Sequence, residues 1–161
     1  NKLKDYNLTI DNGVVLAPDV GSAKMSQSYA KKLGIGFALI DKRRPKHNVA
    51  EVVNLIGELN NRHVFIIDDM IDTAGTIWNA AKTAIDNGAK SVVAVATHAV
   101  LSGPAVSRLK EAPIDKIIVS DTINIDKDKL FDKLEVISVA EVFSEAILRI
   151  NKGDSISELF K

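Results

Sequence analysis

The chain is 161 residues long, 46% hydrophobic and 26% charged, with 21 basic residues matched by 21 acidic ones. That length suits one domain with a substantial core, and a net charge of zero offers no bulk field to attract nucleic acid or a membrane surface. The sequence has no cysteine, which excludes disulfides and thiolate chemistry, and no apolar run approaches the ~20 residues of a membrane-spanning helix.

Residues 1–12 are polar and mixed and read as a connector. The first residue is Asn rather than Met, so we expect a cut or processed chain. Asn12-Gly13 is a turn signal, and Val14 to Ala17 a short buried strand. The loop Pro18-Asp19-Val20-Gly21-Ser22 leads into a helix from Ala23 to Leu33, stopped by Gly34. Asp19 sits just past a strand end, where open α/β sheets place ligands, although an acid there also suits the helix dipole. Phe37 to Ile40 reads as the next strand. It runs into Asp41-Lys42-Arg43-Arg44-Pro45-Lys46-His47-Asn48, a cationic run that is either a solvated turn or a mobile group of charges over a site. Phosphoryl transfer needs such cations, because charge spreads over the transferring oxygens. Val49 to Gly57 alternates imperfectly, as in a β-ribbon or edge strand.

The stretch that organises the chain follows. Val64 to Ile67 is a buried strand running into Asp68-Asp69-Met70-Ile71-Asp72-Thr73-Ala74-Gly75-Thr76, with a helix from about Thr76 to Asn87 and Gly88 as its stop. Backbone N–H groups from Asp72 to Thr76 at a helix N-terminus form an anion cradle. Gly75 permits close approach or a positive φ, and Thr73 and Thr76 add hydroxyls. Asp68 and Asp69 suit sugar hydroxyls, a divalent cation, or both. The plainer reading is a strand-to-helix turn in which the acids cap the helix. Three acids, two threonines and a glycine within nine positions favour a site for a phosphorylated sugar. No Walker A sequence or EF-hand spacing is present. Met70 and Trp78 read as packing residues.

Ser91 to Ala96 is another buried strand, followed by Thr97-His98-Ala99-Val100-Leu101-Ser102-Gly103-Pro104 and a helix from Ala105 to Lys110. His98 reads as a hydrogen-bonded structural residue, and three scattered histidines make no zinc site. Lys116 to Ser120 and Leu134 to Val139 are the remaining strands, and Val142 to Ile150 is an amphipathic helix before a short polar tail. Strands alternating with helices predict an α/β fold with a mostly parallel sheet flanked by helices. Every motif then lies at one carboxyl edge of that sheet.

The Phe65 to Thr76 stretch resembles the phosphoribosyl pyrophosphate signature of type I phosphoribosyltransferase-like folds. Ala17 to Gly21, Asp41 to Pro45, His47 to Val52 and Ala96 to Ala105 narrow the resemblance to the second half of ribose-phosphate diphosphokinases. The resemblance divides the chain into a connector, 1–12, and a phosphoribosyltransferase-like domain, 13–161, of a longer two-domain enzyme. It implies transfer of diphosphate from ATP to the 1-hydroxyl of ribose 5-phosphate, with Mg2+ as cofactor. The Asp72, Thr73, Ala74, Gly75 and Thr76 loop would hold the 5-phosphate, and Asp68 and Asp69 the ribose hydroxyls. Gly21 and Ser22 would form the pyrophosphate loop, Asp19 would place the metal, and Lys42 and Arg44 would be catalytic. Such enzymes are cytoplasmic homo-oligomers, hexamers in this family, with no nucleic-acid or membrane partner. The chain departs from the family where Ser22, then Lys24-Met25-Ser26, stand in place of the usual two glycines and an arginine; Lys24 is the candidate replacement cation. With the first half missing, we expect the chain to bind ribose 5-phosphate with little turnover. The alternatives are a non-catalytic regulatory homologue and a nucleobase phosphoribosyltransferase.

Overall fold

The computed structural model describes residues 6–43 and 52–160. Its frame is a seven-stranded sheet: β1 (Gly13–Ala17), β2 (Gly36–Arg43), β3 (Val52–Ile56), β4 (His63–Ile71), β5 (Ser91–Ala99), β6 (Lys116–Ser120) and β7 (Leu134–Ile137). The strands lie in the order β3-β2-β1-β4-β5-β6-β7. All neighbours are parallel except β2 and β3, which form an antiparallel edge ribbon. Among the described residues, four α-helices accompany the sheet: α1 (Ala23–Leu33), α2 (Gly75–Asp86), α3 (Ala105–Glu111) and α4 (Ala140–Lys152).

The two-residue period of the central strands explains why both faces are covered. Val14, Leu16, Val64 and Ile66 face one way and join Ile77, Ala80, Ala81 and Ala84 of α2 and Leu109 of α3 in one core. Val15, Phe65, Ile67 and Val93 face the other way and pack with Ala30 of α1 and with Ile35. Small residues on the buried stripe of α2 let that helix lie close to the sheet, so the strand ends and the helix start are fixed together.

Most element positions agree with the sequence pattern, and the main differences are extensions. β4 runs on through Asp68, Asp69 and Met70 to Ile71, where a polar loop was expected, and β5 continues to Ala99 rather than ending at Ala96. Backbone pairing between these two neighbours carries both past the apolar residues: Asp68 lies opposite Ala96, and Met70 opposite His98. The edge segment expected over Val49 to Gly57 is β3; its first residues, 49–51, lie outside the described residues. The last strand ends at Ile137, two residues earlier than the pattern suggests, and α4 extends beyond both predicted ends. No helix among the described residues is long and apolar enough to cross a membrane.

Gly57 closes the edge ribbon at φ 109°, and a Cβ there would stand 2.8 Å from the Ala38 Cβ and 2.9 Å from its Cα. Backbone cannot retreat from such a contact, so Gly57→Ala should destabilise the chain by about 2 kcal/mol or more. Denaturant unfolding checks this; a midpoint equal to that of the unaltered chain would show that the ribbon shifts freely.

Candidate functional site

The chain leaves β1 toward β2 on one side and later enters β4 on the other. The strand order therefore reverses between β1 and β4, and their carboxyl ends open a crevice at that switch point. The Asp19 loop leaves one side of the crevice and the Asp72 loop the other. Residues 68–77 line a cavity of about 210 Å³ there.

The cradle itself is short. Ala74 sits immediately before α2 in the left-handed region, with φ 63° and ψ 8°. Gly75 is the first helical residue and is not among the residues with positive φ, so of the two uses expected of it close approach is left, and the left-handed conformation falls elsewhere. Ala74 supplies it, at a steric cost of ~1–2 kcal/mol, while its methyl is buried in the core under α2. What Gly75 provides is access: the space where its Cβ would be meets no atom nearer than 3.6 Å, and that atom is Arg108 Nη1. No side chain caps the start of α2, and no acid stands in its first turn. Its first N–H groups, which have no intrahelical acceptors, are left to a ligand together with the exposed Thr73 and Thr76.

The carboxylates flank this cradle from within β4. Asp68 is half-buried and Asp69 exposed, and both line the cavity. The Asp69 N–H donates to Asp68 Oδ1 at 2.9 Å. Burial, aided by the negative charges of Asp69 and Asp19, nevertheless pushes the Asp68 carboxyl up to about 6. Asp19 itself accepts the Ser22 N–H on Oδ1 at 2.9 Å, while Ser22 Oγ donates to the Asp19 carbonyl at 3.0 Å. Ser22 thus shapes the Gly21-Ser22 turn and turns one Asp19 oxygen inward. Met70, expected to pack, is 46% exposed and lines the cavity, whereas Trp78 is partly buried against the core as expected. His98 Nδ1 lies 2.9 Å from Thr122 Oγ1, which donates in turn to the Thr97 carbonyl at 3.0 Å.

Of the expected catalytic cations, Lys42 lies on β2 with its backbone opposite Val53 of β3, and Arg44 lies outside the described residues. Among the described residues, no group of three or more His, Cys, Asp or Glu side chains is placed to hold a metal alone. Sequence reasoning also missed a second segment that touches the cradle. The Leu101 N–H donates to the Ile71 carbonyl at 3.0 Å, and the Ser102 N–H to the Asp72 carbonyl at 3.1 Å. Ser102 Oγ contacts the Asp72 carboxylate, and Arg108 Nη1 donates to the Thr73 carbonyl at 3.0 Å.

Comparison with known proteins places this geometry in context. Residues 42–161 match the phosphoribosyl synthetase-associated domain. The chain is 51% identical over 150 residues to a ribose-phosphate pyrophosphokinase of Caldanaerobacter subterraneus subsp. tengcongensis, covering 93% of this chain and 48% of that protein. It therefore spans about half the length of that curated relative. The crystal structure of phosphoribosylpyrophosphate synthetase from Mycobacterium smegmatis superposes with a TM-score of 0.81 at 35% identity, covering 88% of this chain and 46% of that one. Adenine phosphoribosyl transferase from Trypanosoma brucei, solved with AMP, pyrophosphate and ribose-5-phosphate, shares the fold at a TM-score of 0.52 and 21% identity, covering 89% of this chain and 73% of that one. The type I phosphoribosyltransferase-like fold expected from the sequence is thus the fold observed. These similarities do not favour the nucleobase phosphoribosyltransferase or the non-catalytic alternative.

The raised Asp68 carboxyl has a measurable consequence. The folded chain protonates Asp68 near pH 6 and the unfolded chain near the ordinary value of 3.8. Between those values the folded state binds more protons, so stability falls as pH rises through the window and levels off above it. With solvent screening at this half-exposed group, the penalty at neutral pH is roughly 1 kcal/mol. Asp68→Asn should therefore raise the melting temperature by about 2–4 °C at neutral pH and by almost nothing near pH ~4. Thermal unfolding at both pH values checks this, and an equal gain at both would remove charge burial as the cause.

Proposed function

The chain belongs to the phosphoribosyl synthetase-associated domain family, and from that premise we propose that it is the sugar-phosphate half of a ribose-phosphate pyrophosphokinase. The observation that carries this reading is the glycine-opened, uncapped N-terminus of α2, set beside two carboxylates at the switch point. Backbone N–H groups from Asp72 to Thr76, with the Thr73 and Thr76 hydroxyls, hold the 5-phosphate of ribose 5-phosphate. Asp68 and Asp69, near the end of β4, accept the hydroxyls of the ribose ring. The Gly21-Ser22 turn receives the diphosphate, and Lys24 at the start of α1 supplies charge in place of the missing family arginine.

In the reaction the sugar 1-hydroxyl attacks the β-phosphorus of ATP. The bond from that phosphorus to the oxygen bridging it to the α-phosphorus breaks, AMP departs, and the hydroxyl proton is lost. Lys42 and Arg44 stabilise charge on the transferring oxygens. The site also suits Mg2+, which ordinarily takes one or two carboxylates and fills its octahedral shell with water and substrate phosphates. A half-buried Asp68, raised by burial and further by the charges of Asp69 and Asp19, is the kind of donor that a hard cation relieves. Asp19 and Asp68 would hold the ion, and when bound it supplies neutralisation of polyphosphate charge. The absence of a three-ligand cage among the described residues fits an ion shared with substrate.

The relatives extend beyond the part that this chain spans, and this reading assigns the adenine of ATP to that remainder. We place the whole enzyme in the cytoplasm as a homo-oligomer. The exposed apolar residues Phe143, Ile147 and Ile150 of α4 offer a surface that another protein surface would cover.

Two measurements test the reading. AMP formation from ATP and ribose 5-phosphate should occur with the full-length enzyme and be slight with this chain alone, which should still bind ribose 5-phosphate. Failure of the full-length enzyme to form AMP would contradict the assignment. In that enzyme, Lys42→Ala should lower turnover by about 100-fold or more while changing ribose 5-phosphate affinity only a few-fold. A matched loss in both would assign Lys42 to ground-state binding instead.

A further inference from the structure

Three consecutive carbonyls of the cradle are bonded to one neighbouring segment. Those of Ile71 and Asp72 accept the N–H groups of Leu101 and Ser102, and that of Thr73 accepts Arg108 Nη1. No cis peptide occurs among the described residues, and in a trans peptide the carbonyl and the following N–H point in opposite directions. Each bond therefore turns one N–H, of Asp72, Thr73 and Ala74 in turn, away from the segment between β5 and α3. Ala74 in the left-handed region completes a run of outward N–H groups of the kind that binds anions.

We propose that Arg108 and Ser102 are positioning residues that aim the cradle N–H groups at the substrate phosphate. This rests on the reading of that cradle as the 5-phosphate site. Arg108 reaches across from the last turn of α3 and ties the Thr73 peptide immediately before α2. The bond joins an ionised donor to a neutral carbonyl, stronger than a bond between two neutral groups. Ser102 acts one residue earlier. Its N–H takes the Asp72 carbonyl, and its hydroxyl contacts the Asp72 carboxylate, which keeps that negative charge turned toward the segment. Leu101, buried and itself left-handed at φ 50°, sets the bend that presents both consecutive N–H groups to β4. The contacts that shape the cradle thus come from residues 30 to 35 positions away in sequence, which is why no local motif reveals them.

The test compares this chain with its Arg108→Met, Arg108→Lys and Ser102→Ala variants by two independent readouts. One is the backbone amide order parameters of Thr73 and Ala74 in the ligand-free chain; the other is calorimetric affinity for ribose 5-phosphate. Arg108→Met should lower the order parameters from the rigid range near ~0.85 toward the flexible range below ~0.6, with those of the α2 body unchanged. It should also weaken ribose 5-phosphate binding by about tenfold. Arg108→Lys, which keeps one donor, should restore part of both, and Ser102→Ala should show the same direction at Asp72 and Thr73. Unchanged order with unchanged affinity would overturn the proposal. So would weakened binding with unchanged order, since that would make Arg108 a direct ligand contact. If the unaltered chain binds no ribose 5-phosphate, the functional reading fails, while the order parameters still decide whether these residues hold the loop. Should Arg108→Met fail to fold, Ser102→Ala decides by the same two readouts.

Discussion

The loop after β4 can present its N–H groups outward because its carbonyls are bonded elsewhere. A phosphate held by backbone amides needs those amides fixed in advance, since each freely rotating peptide adds an ordering cost when the ligand arrives. Here the order comes from three sources: the β4–β5 ladder as far as Ile71 and Ala99, the N–H groups of Leu101 and Ser102, and the guanidinium of Arg108. The left-handed conformation of Ala74 is tolerated because neighbouring contacts over-determine it. Its methyl packs in the core, and the preceding carbonyl is tied to Arg108.

Negative charge around the cradle would by itself repel a phosphate. Asp68, Asp69 and Asp72 line the same cavity, and burial together with the neighbouring acids lifts the Asp68 carboxyl toward neutrality. Such an arrangement costs stability in the free chain and is useful only if the ligand set brings positive charge or hydroxyl donors with it. A sugar phosphate accompanied by a divalent cation answers both needs. In the proposed reading, hydroxyls would satisfy the carboxylates, the cation would relieve their repulsion, and the phosphate would sit beyond them on the helix N-terminus.

Sequence patterning revealed the elements that bury apolar residues. The short runs Val14 to Ala17 and Lys116 to Ser120 and the small-residue stripe of α2 correspond closely to what forms. Patterning was less informative where polar residues continue a strand. Asp68 and Asp69 look like a loop because carboxylates rarely occupy a buried strand, and only pairing with Ala96 and its neighbours keeps them extended. Gly75 suited either close approach or the left-handed position, and Ala74 takes the latter, its side chain having a core to enter. Met70 misled in the opposite sense, since an apolar residue between acids ended up facing the crevice. Ser102 and Arg108 were invisible for a different reason: their partners are backbone carbonyls, which every residue carries, so sequence contains no mark of the contact.

The central claim is that the α2 N-terminus is a 5-phosphate site, and amide chemical-shift mapping with ribose 5-phosphate tests it most directly. The account predicts that the largest saturating shifts fall on the N–H groups of Thr73, Ala74, Gly75 and Thr76, with inorganic phosphate moving the same group more weakly. Shifts centred on another surface, such as the exposed face of α4, with the cradle amides unmoved, would contradict it.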